Sequence, residues 1–172
     1  MTRKVLALCV IAICTLSTTL AQSDEIFTIY LVRHSEKDHS SENHGNLPLS
    51  KCGKLRSEAL SVFLSDVHID AVYSTDYTRT RKTAEPTSTA KSITTQIYSA
   101  TNLEQFAQTL LELKQDALVV GHSNTTGFLT GLLIGEEGED IDLGTYDRIY
   151  QVVVSGNSAE LNLFHSTFEC EE

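Results

Sequence analysis

Ile26-Phe-Thr-Ile-Tyr-Leu-Val-Arg-His34 is the stretch on which the fold turns. From Ile26 to Val32 it is a nearly continuous β-branched and aromatic run with no polar alternation. A run of that kind suits a central strand covered on both faces, as in a parallel sheet with helices above and below. Downstream, Ser50 is placed to cap a helix carrying Leu55, Ala59, Val62 and Phe63 on one stripe. Ile69 to Tyr73 reads as a second strand, and Asp76 as the cap of a helix that Pro86 should break or restart. Ile93 to Tyr98 is a weaker strand, nearer an edge. Thr101-x-x-Glu104 has capping-box spacing ahead of Leu103, Phe106, Ala107, Leu110 and Leu111. Ala117 to Gly121 is another buried strand, and Phe128, Leu132 and Leu133 belong to the helix after it. Tyr150 to Val154 and Glu160 to Phe164 flank Ser155-Gly-Asn-Ser158, a hairpin signal. Strands alternating with helices predict a three-layer α/β/α sandwich with a mostly parallel central sheet, closed by a C-terminal antiparallel hairpin.

The chain has 172 residues, 41% hydrophobic and 21% charged, with two prolines, which excludes a disordered or collagen-like polymer. Its formal net charge of −10 repels phosphate backbones, so nucleic acid is not an expected partner. Any phosphate chemistry therefore needs a locally basic pocket. The basic start Thr2-Arg3-Lys4, the apolar stretch from Val5 to Leu16 and the small residue ending Thr19-Leu-Ala21 read as a signal peptide, cleaved after residue 21. That apolar stretch is shorter than the roughly 20 residues that span a bilayer. The expected mature form is one domain, residues 22–172, secreted or periplasmic, with no membrane attachment. Cys9 and Cys14 would leave with the signal. Cys52 and Cys170 remain, either as a disulfide or as two separate thiols, because sequence does not give their distance. No Cys-x-x-Cys or His-x-x-x-His spacing calls for a structural zinc site.

In open α/β sheets, ligands bind beyond the carboxyl ends of the strands. The first strand runs into Arg33-His34-Ser35-Glu36-Lys37. The second runs into Tyr73-Ser74-Thr75-Asp76, with Arg79 one turn on. The 117–121 strand runs into Gly121-His122-Ser123-Asn124. Two imidazoles and two guanidiniums thus converge on one place. Arginine grips phosphate oxygens through paired N–H groups, and a neutral imidazole attacks phosphorus. Neighbouring cations keep that imidazole unprotonated. The set reads as a phosphoryl-transfer site that needs no metal or other cofactor. Arg81 lies two residues from Arg79, on a different helix face, and reads as a surface charge. Ser123 and Asn124 read as caps of the following helix, and the acidic 136–142 loop as a solvated face.

Four ordered blocks resemble the histidine phosphatase superfamily, branch 1, which has the phosphoglycerate mutase-like fold. They are Arg33-His34-Ser35-Glu36-Lys37, Leu47-Pro48-Leu49-Ser50-x-x-Gly53, Tyr73-Ser74-Thr75-x-x-x-Arg79-x-x-x-Thr83-Ala84, and Gly121-His122-Ser123-Asn124-Thr125. The resemblance implies that His34 is the phosphorylated nucleophile and that Arg33, Arg79 and His122 bind the transferred phosphoryl group. A small phosphorylated molecule is the implied substrate and phosphomonoester hydrolysis the implied reaction. Mutase-like phosphotransfer and a non-catalytic phospho-ligand module are the alternatives. Ser35 departs from the family's usual glycine. The acid that protonates the leaving oxygen has no counterpart at these motifs; Glu36 and Glu104 are the candidates, with Asp38 behind them, and the position stays open.

Overall fold

The computed structural model describes residues 25–170, so the signal peptide expected over residues 1–21 lies outside the described residues. Six strands form one sheet in the order β3-β2-β4-β1-β5-β6. They are β1 (Ile26–Arg33), β2 (Ala71–Ser74), β3 (Thr95–Ile97), β4 (Ala117–Gly121), β5 (Arg148–Ser155) and β6 (Ser158–His165). The pairs β1–β4, β4–β2 and β2–β3 are parallel, while β5 joins β1 antiparallel and turns back into β6. Gly156 makes that turn with φ of 56° in the first central position, where glycine is favoured. The fold is the expected α/β/α sandwich with a mostly parallel sheet and a C-terminal antiparallel hairpin.

Four helices cover the sheet: α1 (Lys51–Phe63), α2 (Thr78–Lys91), α3 (Leu103–Leu113) and α4 (Thr126–Ile134). The two-residue period of β1 divides its side chains between two cores. Ile29 and Leu31 join Phe106, Leu110, Val119 and Leu129 under α3 and α4. Tyr30 and Val32 join Leu60, Leu64, Val72 and Val120 under α1 and α2. Among the described residues no helix is long and apolar enough to cross a membrane.

Four local expectations fail. Ser50 does cap α1, accepting from the Gly53 amide at 3.0 Å, but the buried face is Gly53, Ser57 and Leu60, continuing to Leu64. Leu55, Val62 and Phe63 point outward. The small face meets α2, and Gly53 is there because a Cβ would run into the Glu36 carbonyl oxygen. In α2, Pro86 neither breaks nor restarts the helix, since Thr83, Ala84, Thr87 and Ser88 keep one buried face on both sides of it. Tyr77, not Asp76, is the cap residue, and Asp76 instead pairs with Arg81 at 3.1 Å on the surface. In α3 the cap residue is Asn102, so the Thr101–Glu104 box does not form.

Candidate active site

Three adjacent parallel strands end on one rim, and their register brings the four expected side chains together. Arg33 pairs with Gly121 across β1 and β4, and the His34 amide donates to the Gly121 carbonyl at 2.9 Å. His34 and His122 therefore follow neighbouring strand ends, with ring centroids 5.5 Å apart. Arg79 enters from the first turn of α2. Arg33, His34, Arg79 and His122 line one cleft of about 350 Å³, together with Lys37 and Tyr77. The chain is acidic overall, yet this cleft holds three cationic side chains.

Hydrogen bonding assigns the tautomers. His34 Nδ1 lies 2.7 Å from the Ser35 carbonyl oxygen, which only accepts. Nδ1 therefore carries the proton, and Nε2 keeps its lone pair. At His122 a chain of hydroxyls decides. Thr80 Oγ1 gives its one proton to the carbonyls of Thr75 and Tyr77, at 2.9 Å each, so it accepts from Thr75 Oγ1 at 3.0 Å. Thr75 must then accept from His122 Nε2 at 2.9 Å. The remaining Nδ1 of His122 accepts from Arg79 Nη2 at 3.5 Å. Burial, more than any other cause, lowers the pKa of His34 to about 3 and of His122 to about 4. Arg33 and Arg79 push both further down, and Lys37 adds to the effect on His122. Both rings are neutral at pH 7.

Each arginine is held at one end. Arg33 Nη1 donates to the carbonyls of Leu143 and Thr145 at 2.8 Å and of Asp142 at 3.1 Å, and its guanidinium lies 4.1 Å from the Tyr146 ring centre. Arg79 lies over Tyr77 at 4.4 Å. The Nε atoms of both are buried without a hydrogen-bond partner. Two guanidiniums beside a neutral imidazole suit a tetrahedral oxyanion.

The 136–142 loop is thus not merely a solvated face. Its run into residues 143–145 supplies the carbonyls that hold Arg33, Ile141 is buried, and the Ile141 amide donates to the Ser123 carbonyl at 2.7 Å. The loop packs so closely on α4 that a Cβ at Gly127 would strike the Glu139 backbone. Ser123 and Asn124 line the cleft, and Thr125 is the cap residue of α4. The acid candidates do not reach it. Glu36 Oε1 accepts from Arg56 Nε at 2.8 Å and Nη2 at 2.7 Å. Glu104 is exposed on α3, and Asp38 is half-buried with its carboxylate on Ser40. Among the described residues no carboxylate side chain lines the cleft. Thr75, Tyr77 and Tyr146 were not foreseen as parts of the site; the Tyr-Ser-Thr sequence at a strand end facing Gly121-His122 was the available signal for Thr75. Cys52 and Cys170, left open by the sequence, form a disulfide with a Cα separation of 5.8 Å.

Residues 29–103 match the profile of the histidine phosphatase superfamily (branch 1). No curated protein sequence matches the chain. Among solved structures, the chain is similar to the protein histidine phosphatase SixA in complex with tungstate. The TM-score is 0.66 at 18% identity, covering 81% of this chain and 97% of that one. It is similar to the α-ribazole phosphatase of Shigella flexneri, with a TM-score of 0.69 at 18% identity over 85% of this chain and 100% of that one. A mycobacterial glucosyl-3-phosphoglycerate phosphatase gives 0.64 at 11% identity, over 83% and 100%. At these identities the likeness is one of fold.

Proposed function

We propose that the chain, whose residues 29–103 match the histidine phosphatase superfamily (branch 1) profile, is a phosphomonoesterase working through a covalent phosphohistidine on His34, with no metal in the step. The observation that carries this reading is the free Nε2 of a neutral His34 in a cleft lined by Arg33, Arg79 and His122. The phosphoryl oxygens engage the guanidiniums of Arg33 and Arg79. Nε2 attacks phosphorus as the bond to the leaving oxygen breaks on the far side. Water then cleaves the P–N bond, releasing phosphate and restoring His34. Because no carboxylate lines the cleft, the reading favours leaving groups that depart unaided or bring their own proton. Aryl phosphates and phosphoramidates are of this kind, and the protein histidine phosphatase among the structural neighbours supports the second.

Trapping during turnover tests the proposal. Acid-labile, base-stable phosphate should appear on the chain at up to one equivalent and be absent from His34→Ala. The rate constants should also fall by at least about 10²-fold from aryl to alkyl phosphates, as expected without a general acid. Turnover with no such phosphoenzyme would overturn the proposal. Thr75 is a positioning residue in this scheme. Thr75→Val leaves the His122 Nε2 proton without an acceptor, and about a 10-fold or greater fall in kcat/KM is expected with the thermal midpoint changed far less. The proposed location is outside the cytoplasm. The basic and apolar N-terminal segment supports it, and a disulfide fits an oxidising compartment.

A further inference from the structure

We propose that Cys52, Cys170 and Glu36 form a thiol-gated site for a single zinc-like divalent cation, outside the phosphoryl cleft and open only when the disulfide is reduced. Ligand atoms of the three side chains all lie within 4.8 Å of one another. They arrive from separate anchors: Cys52 from the first turn of α1, Glu36 from the segment after β1, and Cys170 from the segment after β6.

Glu36 supplies the second observation. Its Oε1 already accepts two donors from Arg56, while Oε2 is buried with no hydrogen-bond partner. A buried carboxylate oxygen left unpaired is costly, and such a group asks for an ion or a water. Two thiolates and this oxygen make three ligands of a type that favours zinc, cadmium or cobalt, with a fourth tetrahedral position facing the neighbouring cleft of about 840 Å³. The charges balance: two thiolates and one carboxylate face a divalent ion and the Arg56 guanidinium. Zn–S bonds of about 2.3 Å set the sulfurs about 3.8 Å apart, which side-chain rotation reaches from a Cα separation of 5.8 Å.

Arg56 preorganises the site. It orients Glu36, and its Nη1 donates to the Phe168 carbonyl at 3.1 Å while its guanidinium lies 5.0 Å from the Phe168 ring centre. Cys170 is therefore held near Cys52 by contacts that do not depend on the disulfide. A metal-bound carboxylate with its other oxygen on a guanidinium is a familiar outer-shell arrangement.

Opening the site takes a trialkylphosphine and water: the S–S bond gains two electrons and two protons, and the phosphine becomes its oxide. The full chain, reduced in this way without oxygen, would be titrated with Co²⁺ and Cd²⁺. One equivalent should give the intense visible spectrum of tetrahedral cobalt and a thiolate charge-transfer band with cadmium. The oxidised chain should give neither. Cys52→Ser should lose the cadmium band, and Glu36→Gln should bind at least about 100-fold more weakly. If Glu36→Gln does not fold, the wild-type cobalt spectrum decides, a weak octahedral spectrum counting against the site. Absence of saturable binding, or a folded Glu36→Gln that titrates like wild type, would overturn the proposal.

Discussion

Replacing His34 with alanine is expected to lower turnover of an activated aryl phosphate by on the order of 10⁴-fold or more, in the presence of a metal chelator that leaves the wild type active. The size follows from what the side chain alone supplies. Its Nδ1 proton is committed to the Ser35 carbonyl, so the Nε2 lone pair is both free and fixed in direction. Burial, with the charges of Arg33 and Arg79, keeps the ring neutral well below pH 7. The variant retains both guanidiniums and His122, which hold the anion in this scheme but cannot attack it. Inorganic phosphate should therefore still bind to His34→Ala within about tenfold of wild type, while chemistry is lost. Comparable loss of both would make His34 a binding group instead. Activity that survives in the variant would remove it as the nucleophile.

What the sequence disclosed about this site depended on backbone placement. The buried strands are contiguous apolar runs, so β1 and β4 are legible, and their ends place Arg33, His34 and His122 without further information. The helices on one face were harder. The buried side of α1 is Gly53, Ser57 and Leu60, and that of α2 is Thr80, Thr83, Ala84, Thr87 and Ser88. A reading that counts apolar side chains passes over such small, close-packed faces and selects Leu55, Val62 and Phe63, which are exposed. The 136–145 segment misled for another reason. Its acidic side chains suggest water, but its function in the fold lies in backbone carbonyls directed at Arg33. Thr75 acts through a hydroxyl whose polarity is set two residues into α2, at Thr80, and no local pattern states that. Glu36, adjacent to the site in sequence, turns instead to an arginine on α1.

The two buried imidazoles also make the fold acid-sensitive, in a window that carboxylates do not share. In the unfolded chain each histidine titrates near 6.5, whereas in the fold His34 titrates at about 3 and His122 at about 4. Both folded values are depressed. Between about pH 4 and 6.5 the unfolded chain therefore binds more protons than the folded one, and stability rises with pH across that window. Their contribution is fully present above the unfolded value and drains away as pH falls toward the folded ones. From pH 7 to pH 5.5 the two together should reduce the unfolding free energy by about 2.5 kcal/mol, still above the range where most carboxylates protonate. Urea denaturation at the two pH values measures this directly. The double variant His34→Asn/His122→Asn has no buried imidazole to charge, so most of the difference should vanish even if its absolute stability changes. Added inorganic phosphate should shrink the wild-type difference, because an anion in the cleft favours protonation of both rings in the folded state. A double variant that loses stability as steeply as wild type would place the acid sensitivity elsewhere and contradict the neutral pair on which the nucleophile argument rests.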